Sequence, residues 1–124
     1  MNTDIRGLLT IAQVYLDAAY EMDADKFASV FHHTSTVTKI GEDGEVSVTP
    51  LSVWLAAVRG MKSPKSQGQQ RHDEILSVDV TRGELALLKL TLQVYPRQFT
   101  DLLSCLKVNG SWKIVQKVMT VEMR

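Results

Sequence analysis

Apolar side chains recur at helical spacing in the N-terminal part of the chain. Between residues 3 and 21 they stand three or four positions apart, which predicts an amphipathic helix. Asp23 can cap a shorter second helix, because its carboxylate can accept a hydrogen bond from a free N–H group of the first turn. The apolar side of this second helix comprises Phe27, Val30 and Phe31. The pair His32-His33 is expected to follow its last turn.

A short hairpin and a third helix are predicted next. Two alternating runs, at 37–40 and 46–48, flank the glycine-containing segment 41–44, which is typical of a hairpin. Thr49-Pro50 then marks the start of a helix, since proline is preorganised for the first helical position. The predicted buried stripe of this helix comprises Leu51, Trp54, Leu55, Val58 and Met61. Residues 62–70 lack aliphatic and aromatic side chains that could offset the entropy of ordering, so we expect a mobile loop.

From residue 75 the apolar period changes to two. Four alternating runs separated by short turn sequences span 75–80, 85–95, 98–108 and 111–121. Asn109-Gly110 readily adopts the two positive φ values of a type I′ turn, which predicts a tight hairpin between the last two runs. Consecutive strands with short connections predict an antiparallel meander. With helices first and long strands last, the sequence predicts one α+β domain over residues 1–124.

One acid interrupts the third alternating run. Asp101 is in step with Phe99 and Leu103, so a strand would point its carboxylate the same way as those apolar side chains. A carboxylate on an apolar face makes Asp101 the best pocket candidate. The prediction depends on regular alternation, because a one-residue bulge would turn the side chain to the other face.

The second strand has two different faces. One face is apolar throughout, whereas the other begins with Leu85 and Leu87 and then becomes polar. A sheet covered by helices on one side only is implied. Its outer face could pair with a second copy, so we expect a homodimer through the sheet.

Composition narrows the function classes. The 124 residues are 44% hydrophobic and 23% charged, with zero formal net charge and a sequence pI near 6.8. This balance gives no general attraction to nucleic acid or to a membrane surface, and neither is an expected partner. Cys105 is the single cysteine and occupies an apolar strand position, so we expect a buried structural thiol. The chain shows no signal sequence or long apolar segment, and a cytoplasmic location is expected.

Several short motifs stand at matching places in a known family. They are Tyr15, Phe31-His32, Asp43-Gly44, Trp54, the segment FTDLL at 99–103 and the segment NGSWKIVQK at 109–117. On these residues the chain resembles the NTF2-like superfamily, and within it the small bacterial proteins called putative lumazine-binding, close to the SnoaL-like group. The resemblance implies an NTF2-like (cystatin-like) cone: three N-terminal helices packed on a curved antiparallel sheet with a short early hairpin.

Enzymes of this superfamily place acids, histidines and tyrosines in the mouth of the cone. The resemblance therefore implies that Asp101 and His32 are a candidate acid and base, while Asp101 pairing with a strand lysine or arginine stays open. Tyr15 can direct its hydroxyl into the cavity or serve as a core residue with one hydrogen bond. A ketosteroid-isomerase arrangement needs two acids and a tyrosine, of which only Asp101 and Tyr15 have suitable places. Since the adjacent His32 and His33 cannot both face one ion in a regular element, no metal site is expected. No cofactor is expected either.

Four further residues complete the candidate ligand site. Phe31, Trp54 and Trp112 offer aromatic surfaces, although both tryptophans also fit core positions. Arg71 stands beside the predicted loop, where it can hold an anionic group or be a solvated residue. The sequence then favours binding of a small apolar or aromatic molecule with one polar handle. The alternatives are a cofactor-free isomerase, cyclase or hydro-lyase, and a dimeric interaction module.

Overall fold

Three helices precede most of the sheet. The computed structural model describes the backbone of residues 2–123 and the side chains of residues 3–123. The helices are α1 (Asn2–Glu21), α2 (Ala24–Ala28) and α3 (Leu51–Arg59). The predicted cap is present, because the Asp23 carboxylate accepts a hydrogen bond from the Lys26 N–H at 3.0 Å.

Over residues 2–123, six strands form one sheet in the order β2-β1-β6-β5-β4-β3. Their bounds are β1 (Phe31–Ile40), β2 (Val46–Pro50), β3 (Asp73–Thr81), β4 (Leu85–Val94), β5 (Arg97–Val108) and β6 (Ser111–Met123). The last four strands pair antiparallel in chain order, which confirms the predicted meander. Strand β1 pairs antiparallel with β2 and parallel with β6, a pairing that alternation alone did not predict. Asn109 and Gly110 have φ values of 50° and 82°, as the predicted tight turn requires.

The second helix is shorter than predicted. It ends at Ala28, and Phe31, His32 and His33 lie in β1 instead of ending or following a helix. The physical reason is a long-range hydrogen bond, because the Ile114 N–H donates to the Val30 carbonyl at 2.9 Å and draws the chain into the sheet.

Two expectations about α3 and the following loop are also corrected. Met61 is 56% exposed because the helix ends at Arg59, and Pro50 is the N-cap instead of the first helical residue, so the helix begins one position later than predicted. The segment 62–70 does form turns, but Pro64 is fully buried. The Lys65 N–H also donates to the Tyr20 carbonyl at 3.1 Å, so the segment is anchored to the end of α1.

A bulge in β6 decides which side chains face the helices. Ser104 pairs with Gln116 while Cys105 pairs with Ile114, so Val115 is an extra residue on β6. Before the bulge Trp112 and Ile114 face inward; after it the alternation is shifted by one and Lys117 is buried. The bulge therefore places a lysine on the inner face of the sheet.

The helices cover the inner face unevenly. α1 packs against β3, β4 and β6, whereas α3 packs against β1, β2 and α2. Along the inner face exposure rises from 1% at Asp101 to 38% at Val121 and 65% at Met123. We call this side of the cone, where Phe99, Met119 and Val121 lie, the open end. In the described part of the chain no helix is long and apolar enough to cross a membrane.

Candidate functional site

Asp101 and Tyr15 meet in the interior beside the open end. The Asp101 side chain points inward as predicted and is 1% exposed, as is that of Tyr15. The Tyr15 hydroxyl donates a hydrogen bond of 2.6 Å to the Asp101 Oδ2. Such a short bond is typical of a hydroxyl donating to a charged oxygen. Alternation along β5 and the helical stripe of α1 thus bring together two residues that are 86 positions apart.

Lys117 is the third polar member of this group. It lies diagonally across the β5–β6 ladder from Asp101, whose direct partner is Met119. The Lys117 Nζ is 3.8 Å from the Asp101 Oδ2, a distance that allows an ion pair but not a direct hydrogen bond. We call Tyr15, Asp101 and Lys117 the open-end trio.

Aromatic rings surround the trio. The Lys117 Nζ is 4.2 Å from the centroid of the Trp54 ring and 5.3 Å from that of Tyr15, which are cation–π distances. Phe27 and Phe31 close the group, since each ring lies within 6.1 Å of both Tyr15 and Trp54. The site therefore combines a carboxylate, an ammonium group and a hydroxyl inside apolar walls.

Burial shifts the pKa values of two members of the open-end trio, Tyr15 and Lys117. Loss of hydration raises the pKa of Tyr15 well above 10.0, and the negative charge of Asp101 adds to this rise. Loss of hydration also lowers the pKa of Lys117 from 10.5, although Asp101 opposes that shift. Tyr15 is thus held as a hydrogen-bond donor, and the charged form of Lys117 is disfavoured.

One oxygen of Asp101 is left without a partner. Its Oδ1 is buried and receives no hydrogen bond from any described residue. A buried acceptor in this state costs about 1–3 kcal/mol relative to a satisfied one. A ligand that donates an N–H or O–H to this atom would remove that penalty.

His32 does not join the trio. Its Nδ1 lies 2.7 Å from the Thr34 hydroxyl, and its ring lies beside that of His33 with centroids 4.4 Å apart and planes tilted by 33°. Both partners belong to the irregular start of β1. The contacts of the described residues therefore give no support to an acid–base pair of Asp101 and His32.

Arg71 and Trp112 also lie apart from the trio. Arg71 makes 2.6 Å ion pairs with Asp17 of α1 and with Asp73 of the edge strand β3. Trp112 is opposite Lys107 in the β5–β6 ladder, about 20 Å along β5 from Asp101 at ordinary strand rise. Of the predicted site residues, the structure brings together Tyr15, Phe31, Trp54 and Asp101.

Two members of the site were not named from the sequence, although pairing of Asp101 with a strand lysine or arginine was left open and Lys117 takes that place. Phe27 was assigned to the apolar side of α2 without a site role, and Lys117 was hidden by the bulge. The consecutive apolar residues Ile114 and Val115 are the one sequence feature that could have indicated a break in alternation. Cys105 is buried as expected, and burial raises the pKa of its thiol to about 12.

Comparison with known proteins identifies the family. The family model described as "Putative lumazine-binding" matches residues 3–120. The chain belongs to this family. No functionally curated protein matches the sequence significantly. Within the described residues no group of three or more metal-ligating side chains could hold an ion.

Solved structures show the same fold for this member of the family. An NTF2-like protein of unknown function from Shewanella baltica has a TM-score of 0.89 at 17% identity, covering 98% of this chain and 96% of its own. One from Silicibacter pomeroyi has a TM-score of 0.84 at 23% identity, covering 98% of both chains. A ketosteroid isomerase-like protein from Erwinia carotovora atroseptica has a TM-score of 0.77 at 15% identity, covering 100% of both. The predicted NTF2-like cone is thereby confirmed.

Proposed function

We propose that this protein binds a small aromatic molecule with a polar edge at the open end. The observation that carries the proposal is the buried, unpartnered Oδ1 of Asp101. Native proteins satisfy nearly all buried polar atoms, so an orphaned acceptor beside a partly exposed inner face is suited to a ligand donor. The Tyr15 hydroxyl fixes the orientation of the same carboxylate through Oδ2.

The surroundings of Asp101 define the chemical class of the ligand. Trp54, Phe27 and Phe31 supply rings that favour a flat apolar body. Lys117 supplies a donor whose Nζ is 3.8 Å from the other carboxylate oxygen of Asp101, Oδ2. A heteroaromatic ring that carries an N–H beside a carbonyl matches this pair of groups. Lumazine, which the family description names, has such an edge and is a suitable first probe.

Thermal-shift titration with lumazine and its N,N-dimethyl derivative tests the proposal. We expect lumazine to raise the melting temperature of the wild type, because a ligand that binds only the folded state stabilises it. The dimethyl derivative lacks the N–H donors and should stabilise less. Asp101→Asn should weaken the lumazine response, whereas the control Asp4→Asn should retain it. An unchanged response in Asp101→Asn would remove Asp101 from the binding site.

Proton transfer is a second candidate, favoured by the short bond between Tyr15 and Asp101. A ketosteroid isomerase-like protein shares the fold, and a tyrosine beside a buried carboxyl can stabilise an enolate oxygen. The residues of this chain that would exchange protons are Asp101 and Lys117 rather than His32. NMR of acetophenone in heavy water would show deuterium entering its methyl group in the presence of wild type but not of Asp101→Asn. Equal rates with both proteins would exclude this activity at the trio.

The outer face of the sheet supports the proposed homodimer. Leu85 and Leu106 are cross-strand neighbours that are 48% and 41% exposed, and Val118, the ladder partner of Leu102, is 40% exposed. A second copy could cover this apolar surface without blocking the open end on the inner face. Light scattering over a concentration series should give the mass of two chains, and a monomer mass throughout would contradict it.

A further inference from the structure

We propose that the Lys117 amine forms a covalent imine with an aromatic aldehyde held at the open end. This inference rests on the proposed binding function and adds a reaction to it. Lysines buried among apolar groups are the usual nucleophiles toward carbonyl ligands, since the neutral amine is the reactive form. Lys117 is 5% exposed and faces Trp54 and Tyr15 at ring-contact distances.

The position of the amine leaves it available for attack. Its Nζ is 3.8 Å from the Asp101 Oδ2, which is longer than a direct hydrogen bond. A neutral amine at this place keeps its lone pair free. An aldehyde whose ring lies against Trp54 would hold its carbonyl carbon beside that lone pair, which raises the effective concentration of the two reactants.

The charged groups around Lys117 allow a fraction of its amine to be neutral. Loss of hydration is the largest influence and lowers the pKa of Lys117, and the positive charge of Lys39 acts in the same direction. Asp101 opposes both influences. The remaining titratable neighbour, Tyr15, has its pKa raised by burial and stays uncharged.

The reaction balances without a co-reactant. The amine attacks the carbonyl carbon to give a carbinolamine, while a proton passes from nitrogen to oxygen. The unpartnered Oδ1 of Asp101 can then accept the second proton from that nitrogen and donate it to the hydroxyl, which leaves as water. The carbon–oxygen bond then breaks, one water leaves and the carbon–nitrogen double bond forms. No atom changes its overall oxidation state, so no oxidant or reductant is consumed.

Entry from the open end gives the aldehyde a route to Lys117. Met119 follows Lys117 on the inner face and is half-buried, and Val121 beyond it is 38% exposed. Phe99, in step with Asp101 on β5, is half-buried and packs against the core. The amine is therefore one inner-face position away from partly exposed side chains.

Reductive trapping of the wild-type protein tests the imine. The protein is treated with a small excess of benzaldehyde and sodium cyanoborohydride, which reduces an imine to a stable benzylamine, and peptides are mapped by mass spectrometry. Lys89, exposed on the outer face, is the internal reference. We expect labelling of Lys117 to exceed that of Lys89 by about tenfold or more, owing to the oriented ligand. Labelling of Lys117 no faster than Lys89 would overturn the proposal.

Two further measurements separate failure of the imine from failure of binding. Benzyl alcohol, which cannot form an imine, should raise the melting temperature of the wild type. Stabilisation without preferential labelling would overturn the imine and leave the binding function standing. If benzyl alcohol gives no stabilisation and Lys117 shows no preferential labelling, both the imine and the binding function are contradicted. Lys117→Arg keeps the charge but not the nucleophile, so it should lose the fast labelling while Lys89 is labelled as before.

Discussion

Two regions of this molecule each contain an aspartate, a lysine and a tryptophan, but they differ in burial and in hydrogen bonding. At the open end, Asp101 and Lys117 lie with Trp54 in the interior. Near the β5–β6 turn, Asp4 forms an ion pair with Lys107 and accepts a hydrogen bond from the Trp112 Nε1 at 3.2 Å. We call Asp4, Lys107 and Trp112 the Asp4 cluster.

The two regions differ in burial and in hydrogen bonding. The Asp4 cluster borders solvent, and its ion pair lowers the pKa of Asp4 chiefly through the hydrogen bond with Lys107. It also flanks a groove of about 460 Å³, lined by the start of α1 and the β5–β6 turn. Asp101 is 1% exposed and retains an unsatisfied oxygen. We therefore base the proposed ligand site on the unsatisfied buried carboxylate of Asp101 and not on the size of the groove.

Breaking one side of the buried ion pair should have the largest effect on stability. Either Asp101→Leu or Lys117→Met leaves an uncompensated buried group and should lower the free energy of unfolding by about 3–5 kcal/mol. The double variant should lose less than the two single variants combined, because no charge stays behind. Urea unfolding measures all three. Additive losses in the double variant would show that the two groups do not interact.

Removing the Tyr15 hydroxyl should have the next largest effect. Tyr15→Phe deprives Asp101 of its described hydrogen-bond donor and should lower the free energy of unfolding by about 1.5–3 kcal/mol. The matched control is Tyr20→Phe, whose hydroxyl donates to the Gln69 carbonyl at 2.8 Å in a partly buried place. That neutral bond should contribute about 0.5–1.5 kcal/mol. A smaller loss for Tyr15→Phe than for Tyr20→Phe would contradict the importance of the trio.

The pH dependence of stability should differ between wild type and Lys117→Met. The folded pKa of Lys117 lies below its unfolded value of 10.5, so the unfolded chain binds the extra proton between these two values. The stability of wild type relative to the variant should therefore rise with pH across this window, by about 1.4 kcal/mol per unit of pKa difference. Urea unfolding between about pH 7 and pH 10 measures this. A difference that falls with rising pH would contradict the lowered pKa.

Substitution of Asp4 in the Asp4 cluster should have the smallest effect on stability. Asp4→Asn removes a charge from a solvent-bordered ion pair, and such pairs contribute little to stability. Its loss of stability should be smaller than that of Asp101→Asn and should shrink further in about 1 M salt, which screens surface charges. Parallel urea titrations at low and high salt measure both variants. A larger, salt-independent loss for Asp4→Asn would remove the contrast between the two regions.

Of the two charged residues at the open end, the sequence predicted the inward direction of Asp101 but not that of Lys117. The inward direction of Asp101 followed from alternation along β5, which runs without a break from Arg97 to Ser104. The inward direction of Lys117 did not, because the extra Val115 shifts the alternation of β6 by one residue. A bulge is stabilised by the pairing of neighbouring strands, and a single-strand pattern does not contain that information.

The position of the histidines was missed for a similar reason. An apolar run with a capping aspartate favoured a helix extending to Phe31. In the fold, Val30 and Phe31 instead join the sheet through the pairing with Ile114. Local propensity was overridden by a contact with a strand more than eighty positions away. The order of elements and the fold family were predictable, whereas the partners of Asp101 required the assembled sheet.

The two tryptophans allow one measurement to compare both regions directly. Trp54 lies at the open-end trio and Trp112 in the Asp4 cluster, and the chain contains no other tryptophan. Their indole N–H resonances can be followed by NMR while lumazine or benzyl alcohol is added to protein labelled with nitrogen-15. We predict that ligand addition shifts the Trp54 resonance and leaves that of Trp112 nearly unchanged. A shift confined to Trp112 would place binding in the groove beside Asp4 and contradict the account.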